Sequence, residues 1–182
     1  LQPPASPHAI YVGSGLFGVA NQCLESDIHV PGRLGRAADF FCDCGGMLAL
    51  PNEIHERKTY HCPCCSREFS GEEYDDDARR VRHDELVGKA LSLALLYGIE
   101  RDDAYGRKAA DIILKCAEAY ASRDGGIMPD AASEAAWVMP LAQAYDLIYH
   151  WNNFSEEAVS RAESTLFMPV AKRLVDAGNQ GV

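Results

Sequence analysis

The chain has 182 residues, of which 47% are hydrophobic and 24% are charged, and its formal net charge is −10. These proportions are ordinary for a globular protein and exclude a collagen-like or low-complexity chain. The acidic balance disfavours a general nucleic-acid binder, which would carry the opposite sign. Purely apolar runs, such as residues 93–97, are too short to cross a bilayer as a helix.

Residues 1–38 are rich in proline and glycine and show no sustained period. We interpret them as an extended arm that lies over another surface, with a short strand near residues 10–13; a flexible leader is the alternative. No signal-peptide order is visible, the first residue is Leu1, and the last residues read as the middle of a loop. We therefore expect the sequence to be a piece of a longer chain.

Residues 39–73 form a cysteine-rich segment with short β turns. Five of the seven cysteines fall between residues 42 and 65. The odd total of seven argues against a complete disulfide set. Two close pairs on tight turns can bring four thiolates into the tetrahedron that structural zinc prefers. The predicted ligands are Cys42, Cys44, Cys62 and Cys65, which leaves Cys64 spare. Disulfides and free thiols remain open as alternatives.

Residues 74–182 show the apolar spacing of helices, with short connections that predict two antiparallel helical hairpins. Asp102 and Ser155 are the predicted N-caps of the second and fourth helices. Pro140 and Pro169 fall inside the third and fourth helices and predict kinks, or a new first turn at Pro140. The predicted helices cover residues 77–98, 102 to just before 124, 131–149 and 155–177, ending at Gly98 and Gly178 in the first and fourth cases.

The order of several helical segments resembles the N-terminal part of the heparinase II/III-like and alginate-lyase-like polysaccharide lyases. The resemblance covers residues 42–178 and includes a cysteine knuckle that precedes the helices in some members. It is carried by YDDD at 74–77, RHDEL at 82–86, ALSLALLY at 90–97, DDAYGRKA at 102–109, IIL at 112–114 and EAAWVMPLAQAYDLI at 134–148.

The resemblance implies a mainly α fold, an incomplete α/α toroid of helical hairpins with a small zinc-knuckle-like β segment. It also implies that a longer chain cleaves uronate-containing glycans by β-elimination, in the periplasm or outside the cell. The family's catalytic Asn/His segment and later Tyr would lie beyond Val182, so no catalytic residue is assigned here and we expect this fragment alone to be inactive. The expected partner is an acidic polysaccharide or oligosaccharide, and neither nucleic acid nor a membrane span is expected.

Three residues are candidates for contact with a sugar. Trp137 can stack on a sugar face while the nearby carboxylate of Glu134 binds hydroxyls; the alternative is that Trp137 is helix core and Glu134 an N-terminal charge. His83 lies among arginines that can form a cationic patch for uronates. The alternative for this patch is a solvated face whose charge is balanced by Asp75, Asp76 and Asp77.

A second hypothesis is a non-catalytic, zinc-stapled helical module that binds a glycan or a protein partner. A glycosidase with Glu134 and Asp146 as its paired carboxylates is disfavoured, because the two residues lie about three helical turns apart. A zinc-ribbon nucleic-acid binder is disfavoured because acidic residues offset the basic ones in the cysteine-rich segment.

Overall fold

The computed structural model describes residues 17–18, 20–32, 41–49, 59–123 and 127–179. Most of these residues are helical, and a two-stranded antiparallel sheet lies in the cysteine-rich segment, as the sequence predicts. None of the described helices is both long and apolar enough to cross a membrane. The elements are β1 (Tyr60–His61), β2 (Glu68–Phe69), α1 (Glu72–Glu100), α2 (Asp103–Ala121), α3 (Ala131–Ile148), α4 (Glu156–Ala162) and α5 (Met168–Asn179).

The two predicted N-caps are confirmed. The Asp102 side chain accepts the Ala104 N–H at 2.9 Å, and the Ser155 side chain accepts the Ala158 N–H at 3.2 Å. In both cases a side-chain oxygen replaces a hydrogen-bond partner that the first helical turn lacks. Each cap therefore fixes the residue at which the chain leaves its loop.

The predicted helix ends at Gly98 and Gly178 are wrong, since both glycines lie inside helices. Helix α1 ends at Glu100. The next residue, Arg101, adopts a left-handed conformation (φ 59°) and donates its backbone N–H to Tyr97 O at 2.9 Å. A left-handed residue satisfies a free carbonyl at a helix end, usually through glycine. Here that hydrogen bond offsets the cost of placing a side chain at positive φ.

The two prolines inside the helical pattern have different outcomes. Helix α3 continues on both sides of Pro140. Before Pro169, a π-helical turn (Glu163–Phe167) separates α4 from α5, and Met168 donates its N–H to Glu163 O, five residues back. Because proline has no N–H, it fits the first turn of a helix, and the preceding turn absorbs the change of hydrogen-bond pattern.

The helices form two packed hairpins. Helix α1 packs on both α2 and α3, while α2 also packs on α4 and on the π-helical turn, and α3 packs on α5. The helices therefore pack around one apolar core. That core includes Leu93, Ile113, Trp137, Leu141 and Leu166. The closed ring of a toroid is not shown by these helices and stays a prediction.

The N-terminal segment differs from the predicted extended arm, because residues 20–25 are helical. Ala20 and Cys23 enter the main core, and Leu24 packs against it, which is the apolar spacing of a helix face. The segment is held to α2 by the Tyr105 hydroxyl, which donates to Asn21 Oδ1 at 2.9 Å. The predicted strand at residues 10–13 lies outside the described residues.

The loop between α3 and α4 is fixed to the start of α2. Trp151 donates its indole N–H to Asp103 Oδ1 at 2.8 Å, and the Asn153 amide donates to Asp103 Oδ2 at 2.9 Å. The Trp151 ring also covers Gly106, where a Cβ atom would lie only 3.2 Å from the ring. The absence of a side chain at Gly106 therefore lets the two hairpins approach.

Candidate metal centre and buried polar cluster

Four cysteine sulfurs converge in the cysteine-rich segment, and they belong to the residues that the sequence predicts, Cys42, Cys44, Cys62 and Cys65. All four Sγ atoms lie within 4.8 Å of one another, and three of their separations are 3.4, 3.6 and 3.7 Å. A disulfide would bring two sulfurs to about 2 Å. Tetrahedral coordination with metal–sulfur bonds near 2.3 Å instead separates the sulfurs by about 3.8 Å. The cluster therefore has the ligand count and approximate size of a four-thiolate metal site.

Two tight turns hold the cysteines in place. In the first, Gly45 adopts φ +82° and donates to Cys42 O at 2.7 Å, while Cys42 donates to Gly46 O at 2.8 Å. In the second, Cys62 donates to Arg67 O at 2.9 Å, which closes the loop between β1 and β2. Glycine at the left-handed position of the first turn avoids the steric cost that a side chain would have. The turns thus orient the sulfurs without help from a large core.

Backbone amides make the environment of Cys62 favourable for a thiolate. Burial disfavours its charged form, but hydrogen bonds from the N–H groups of Cys65 and Cys64, and then from the thiols of Cys44 and Cys65, lower its pKa to about 6. Arg67 lies nearby and its pKa is raised, first by the negative charge of Cys42 and then by its ion pair with Asp43 at 2.8 Å. Thiolates are the form of cysteine that binds metals.

The cluster is attached to the helical part through Tyr60. This buried side chain donates its hydroxyl to Asp75 Oδ1 at 2.6 Å, at the start of α1. A small second core surrounds it and includes Cys42, Leu48, Cys62 and Ala78. Because Ala78 belongs to α1, the position of the sulfurs is linked directly to the first helix.

The three predicted sugar-contacting residues converge, although they come from two helices. His83 in α1 meets Trp137 in α3 with ring centroids 5.9 Å apart and planes nearly perpendicular. Glu134 precedes Trp137 by one helical turn on the same buried face. The exposed fractions are 0% for His83 and Glu134 and 1% for Trp137. Their burial agrees with the helix-core alternative for Trp137, and their contact with a sugar stays a prediction.

Glu134 is the centre of a buried charge network that the sequence does not reveal. Its Oε2 accepts the Met128 N–H at 2.9 Å and the Arg173 Nη1 at 2.6 Å. Arg173 also donates Nη2 to Met128 O at 3.3 Å, so the guanidinium spans the carboxylate and the loop before α3. Burial raises the pKa of Glu134, against the opposing effects of the Met128 amide and the Arg173 charge. Arg173 lies 39 positions further along the chain, and no local motif points to it.

The arginines around His83 are not equivalent. Arg79 makes an ion pair with Asp76, in keeping with the predicted balance by the acidic run before it. Hydrogen bonds from Ser133, and to a smaller extent the charge of Arg80, lower the pKa of Asp130; the charge of Arg80 also opposes the rise in pKa that burial causes at Asp84. The His83 ring lies inside the core next to these groups, rather than on a solvated surface with them.

No known family model and no curated protein matches this chain. The geometry of the cysteine cluster and of the buried polar residues therefore provides the basis for a functional assignment, alongside the resemblance noted in the sequence.

Proposed function

We propose that the chain is a zinc-stapled helical module in which Cys42, Cys44, Cys62 and Cys65 hold one structural Zn²⁺. The observation that carries this proposal is the convergence of the four sulfurs at separations close to those of a tetrahedral thiolate site. Zinc is favoured because it accepts four thiolates and is commonly bound by two cysteine pairs on short turns.

The role of the metal is to fold a segment that has little core of its own. The sheet beside the cluster contains only two-residue strands, which are too short to be stable alone. Binding of the metal to four preoriented thiolates supplies folding free energy directly. The zinc thus holds Tyr60 and its neighbours on the first turns of α1.

Metal analysis of the purified chain tests this proposal. We expect one zinc per chain, and we expect Cys62→Ser to lose it, because serine offers no thiolate. Cys64→Ser is the matched control, since Cys64 is in the same turn but outside the four-sulfur group. A chain that binds no zinc with all thiols reduced, or a Cys64→Ser variant that loses zinc as completely as Cys62→Ser, would contradict the assignment.

We further propose that this module is the N-terminal helical part of a polysaccharide lyase that acts on uronate-containing glycans. The support is the ordered resemblance of the helical segments, together with the packing of α1 on α3. The module would supply part of the wall of the glycan cleft, and residues beyond it would perform the β-elimination. A non-catalytic module that binds a glycan or protein partner is the alternative.

A panel of uronate glycans separates these two functions. The natural polypeptide that contains this chain should release unsaturated uronates, which absorb in the ultraviolet, while the 182-residue chain should give no product. Binding of a glycan without turnover by the longer polypeptide would favour the non-catalytic module. If the longer polypeptide neither binds nor cleaves any uronate glycan, the lyase proposal is refuted. The zinc proposal is unaffected by that result.

A further inference from the structure

An aromatic cluster lies where α3 ends. Its centre is Tyr145, whose ring meets those of Tyr149, Phe154 and Phe167 with centroids 5.5, 5.9 and 4.8 Å apart. The cluster continues to His150, whose ring centroid lies 5.1 Å from that of Tyr149. These separations are those of rings in direct contact. The five side chains therefore form one continuous group.

The cluster has a buried base and an exposed outer side. Phe154 belongs to the main core, and Tyr145 and Phe167 are half-buried and pack against that core. In contrast, Tyr149 is 43% exposed, and His150 beside it is also exposed. An apolar residue exposed singly needs no explanation, whereas connected exposed apolar surface marks a binding site. The core thus fixes the inner rings, and the outer rings are presented to solvent.

Two exposed carboxylates border the rings. The Tyr145 hydroxyl donates to Glu163 Oε1 at 2.7 Å, which leaves Oε2 of this exposed side chain for another donor. Asp146 precedes Tyr149 by three positions, so it lies about one turn before it on the same side of the helix. The ion pairs among the described residues involve neither carboxylate. Both groups are therefore acceptors open to a ligand at the edge of the aromatic surface.

We propose that Tyr149 and His150, with the carboxylates of Glu163 and Asp146, form a binding surface for a neutral glycan. The apolar C–H face of a pyranose ring packs on an aromatic ring, and its hydroxyls donate to carboxylate oxygens in charge-assisted hydrogen bonds. An acidic sugar is disfavoured, because its carboxylate would lie beside two like charges. A quaternary ammonium group is best bound by rings that surround it. Rings in contact with one another, as here, leave no space for such a group between them.

This surface differs from the sugar contacts predicted at His83, Glu134 and Trp137, which are all buried. It gives a place and a sugar class to the non-catalytic alternative, a module that binds a glycan, and it rests on that alternative. It does not rest on the lyase proposal, because a neutral sugar has no carboxylate to support β-elimination. It is also independent of the zinc site, which lies in the cysteine-rich segment.

Native affinity electrophoresis of the 182-residue chain tests the surface. The gels contain a dissolved neutral polysaccharide, either galactomannan, xyloglucan or mixed-linkage β-glucan, with alginate as the acidic comparison. Binding slows the chain relative to a reference protein that does not bind. We expect retardation in at least one neutral gel and none in alginate. The absence of retardation in every neutral gel, or retardation at least as strong in alginate, would overturn the proposal.

Variants give the surface its controls. Tyr149→Ala should abolish the retardation with an unchanged circular dichroism spectrum, whereas Tyr149→Phe, which keeps the ring, should retain most of it. Glu163→Gln should weaken binding only a few-fold, because the amide oxygen still accepts from Tyr145 and from a sugar hydroxyl. Phe41→Ala removes an aromatic ring that is 57% exposed but lies outside the cluster, and it should change nothing. Unchanged retardation of Tyr149→Ala, equal loss in Phe41→Ala, or full competition by choline chloride would overturn the proposal; failure of lyase activity would not.

Discussion

Replacement of Arg173 by methionine tests whether the buried charge network holds α5 to α3. The substitution keeps much of the apolar length of the side chain and removes the guanidinium that pairs with Glu134 at 2.6 Å. Glu134 is 0% exposed, so its carboxylate would remain buried, with the amides of Met128 and Ile127 and the Tyr120 hydroxyl as its remaining hydrogen-bond donors. Breaking a buried ion pair by removing one partner costs about 3–5 kcal/mol. We expect a loss of stability near the lower end of this range, about 3 kcal/mol, because the other hydrogen-bond donors to Glu134 remain.

Urea unfolding followed by circular dichroism provides the measurement, since the midpoint and slope give the free energy of unfolding. Arg161→Met is the matched control, because Arg161 pairs with Glu118 at 2.7 Å while both side chains are 51% exposed. An exposed pair of this kind contributes about 0–1 kcal/mol. A loss for Arg173→Met no larger than that for Arg161→Met would refute the assignment of the network as a stabilising contact.

The pH dependence of the same variant provides a second test. Burial raises the folded-state pKa of Glu134, so the native protein holds this proton more tightly than the unfolded chain does. The contribution of this group to the free energy of unfolding is therefore largest at low pH, and it is lost as the pH rises through the folded-state pKa. Loss of Arg173 removes a charge that favours the carboxylate and raises that pKa further. The destabilisation of Arg173→Met should consequently be smaller at pH 5 than at pH 7, and an equal loss at both pH values would contradict this explanation.

Individual glycines and one cysteine provide the remaining tests. Gly46→Ala should weaken metal binding at least ten-fold in a chelator competition, because its Cβ would lie within 3.0 Å of two cysteine sulfurs; unchanged affinity would refute the packing argument. Gly88→Ala should stabilise the chain by about 0.5–1 kcal/mol, since its Cβ meets nothing within 4 Å. Gly106→Ala should destabilise the chain by about 1–3 kcal/mol, because its Cβ would contact the Trp151 ring. Urea unfolding that ranks the two variants in the reverse order would contradict both predictions. Cys116 should resist alkylation in the native chain, because burial raises its pKa to about 12, and its modification at the rate of an exposed thiol would exclude this burial.

The parts of the fold that depend on local chemistry are the parts that the sequence predicts well. Asp102 and Ser155 cap helices because a short polar side chain reaches the free amides of its own first turn. The choice of Cys62 and Cys65, rather than Cys64, follows from the spacing that a tight turn allows. In contrast, Gly98 is a poor guide to the end of α1, since the helix continues to Glu100.

The candidate site depends on contacts between distant positions, and here the sequence is less informative. Glu134 and Trp137 are recognisable as an unusual pair on one helix, but the pairing of Glu134 with Arg173 needs the packing of α5 on α3. Tyr120, whose ring stacks on Trp137, is interpreted from the sequence as ordinary helix core.

The π-helical turn before Pro169 has a consequence for the direction in which α5 presents its side chains. An α-helix advances by about 100° per residue, and a single π-type bulge amounts to one inserted residue. Every position after Glu163–Phe167 is therefore rotated by about that angle relative to an uninterrupted continuation of α4. Arg173 faces Glu134 in this rotated setting. A chain lacking one residue of the turn would keep the composition of α5 but direct the Arg173 guanidinium away from the Glu134 carboxylate. The rotation of α5 about its axis therefore selects this ion pair.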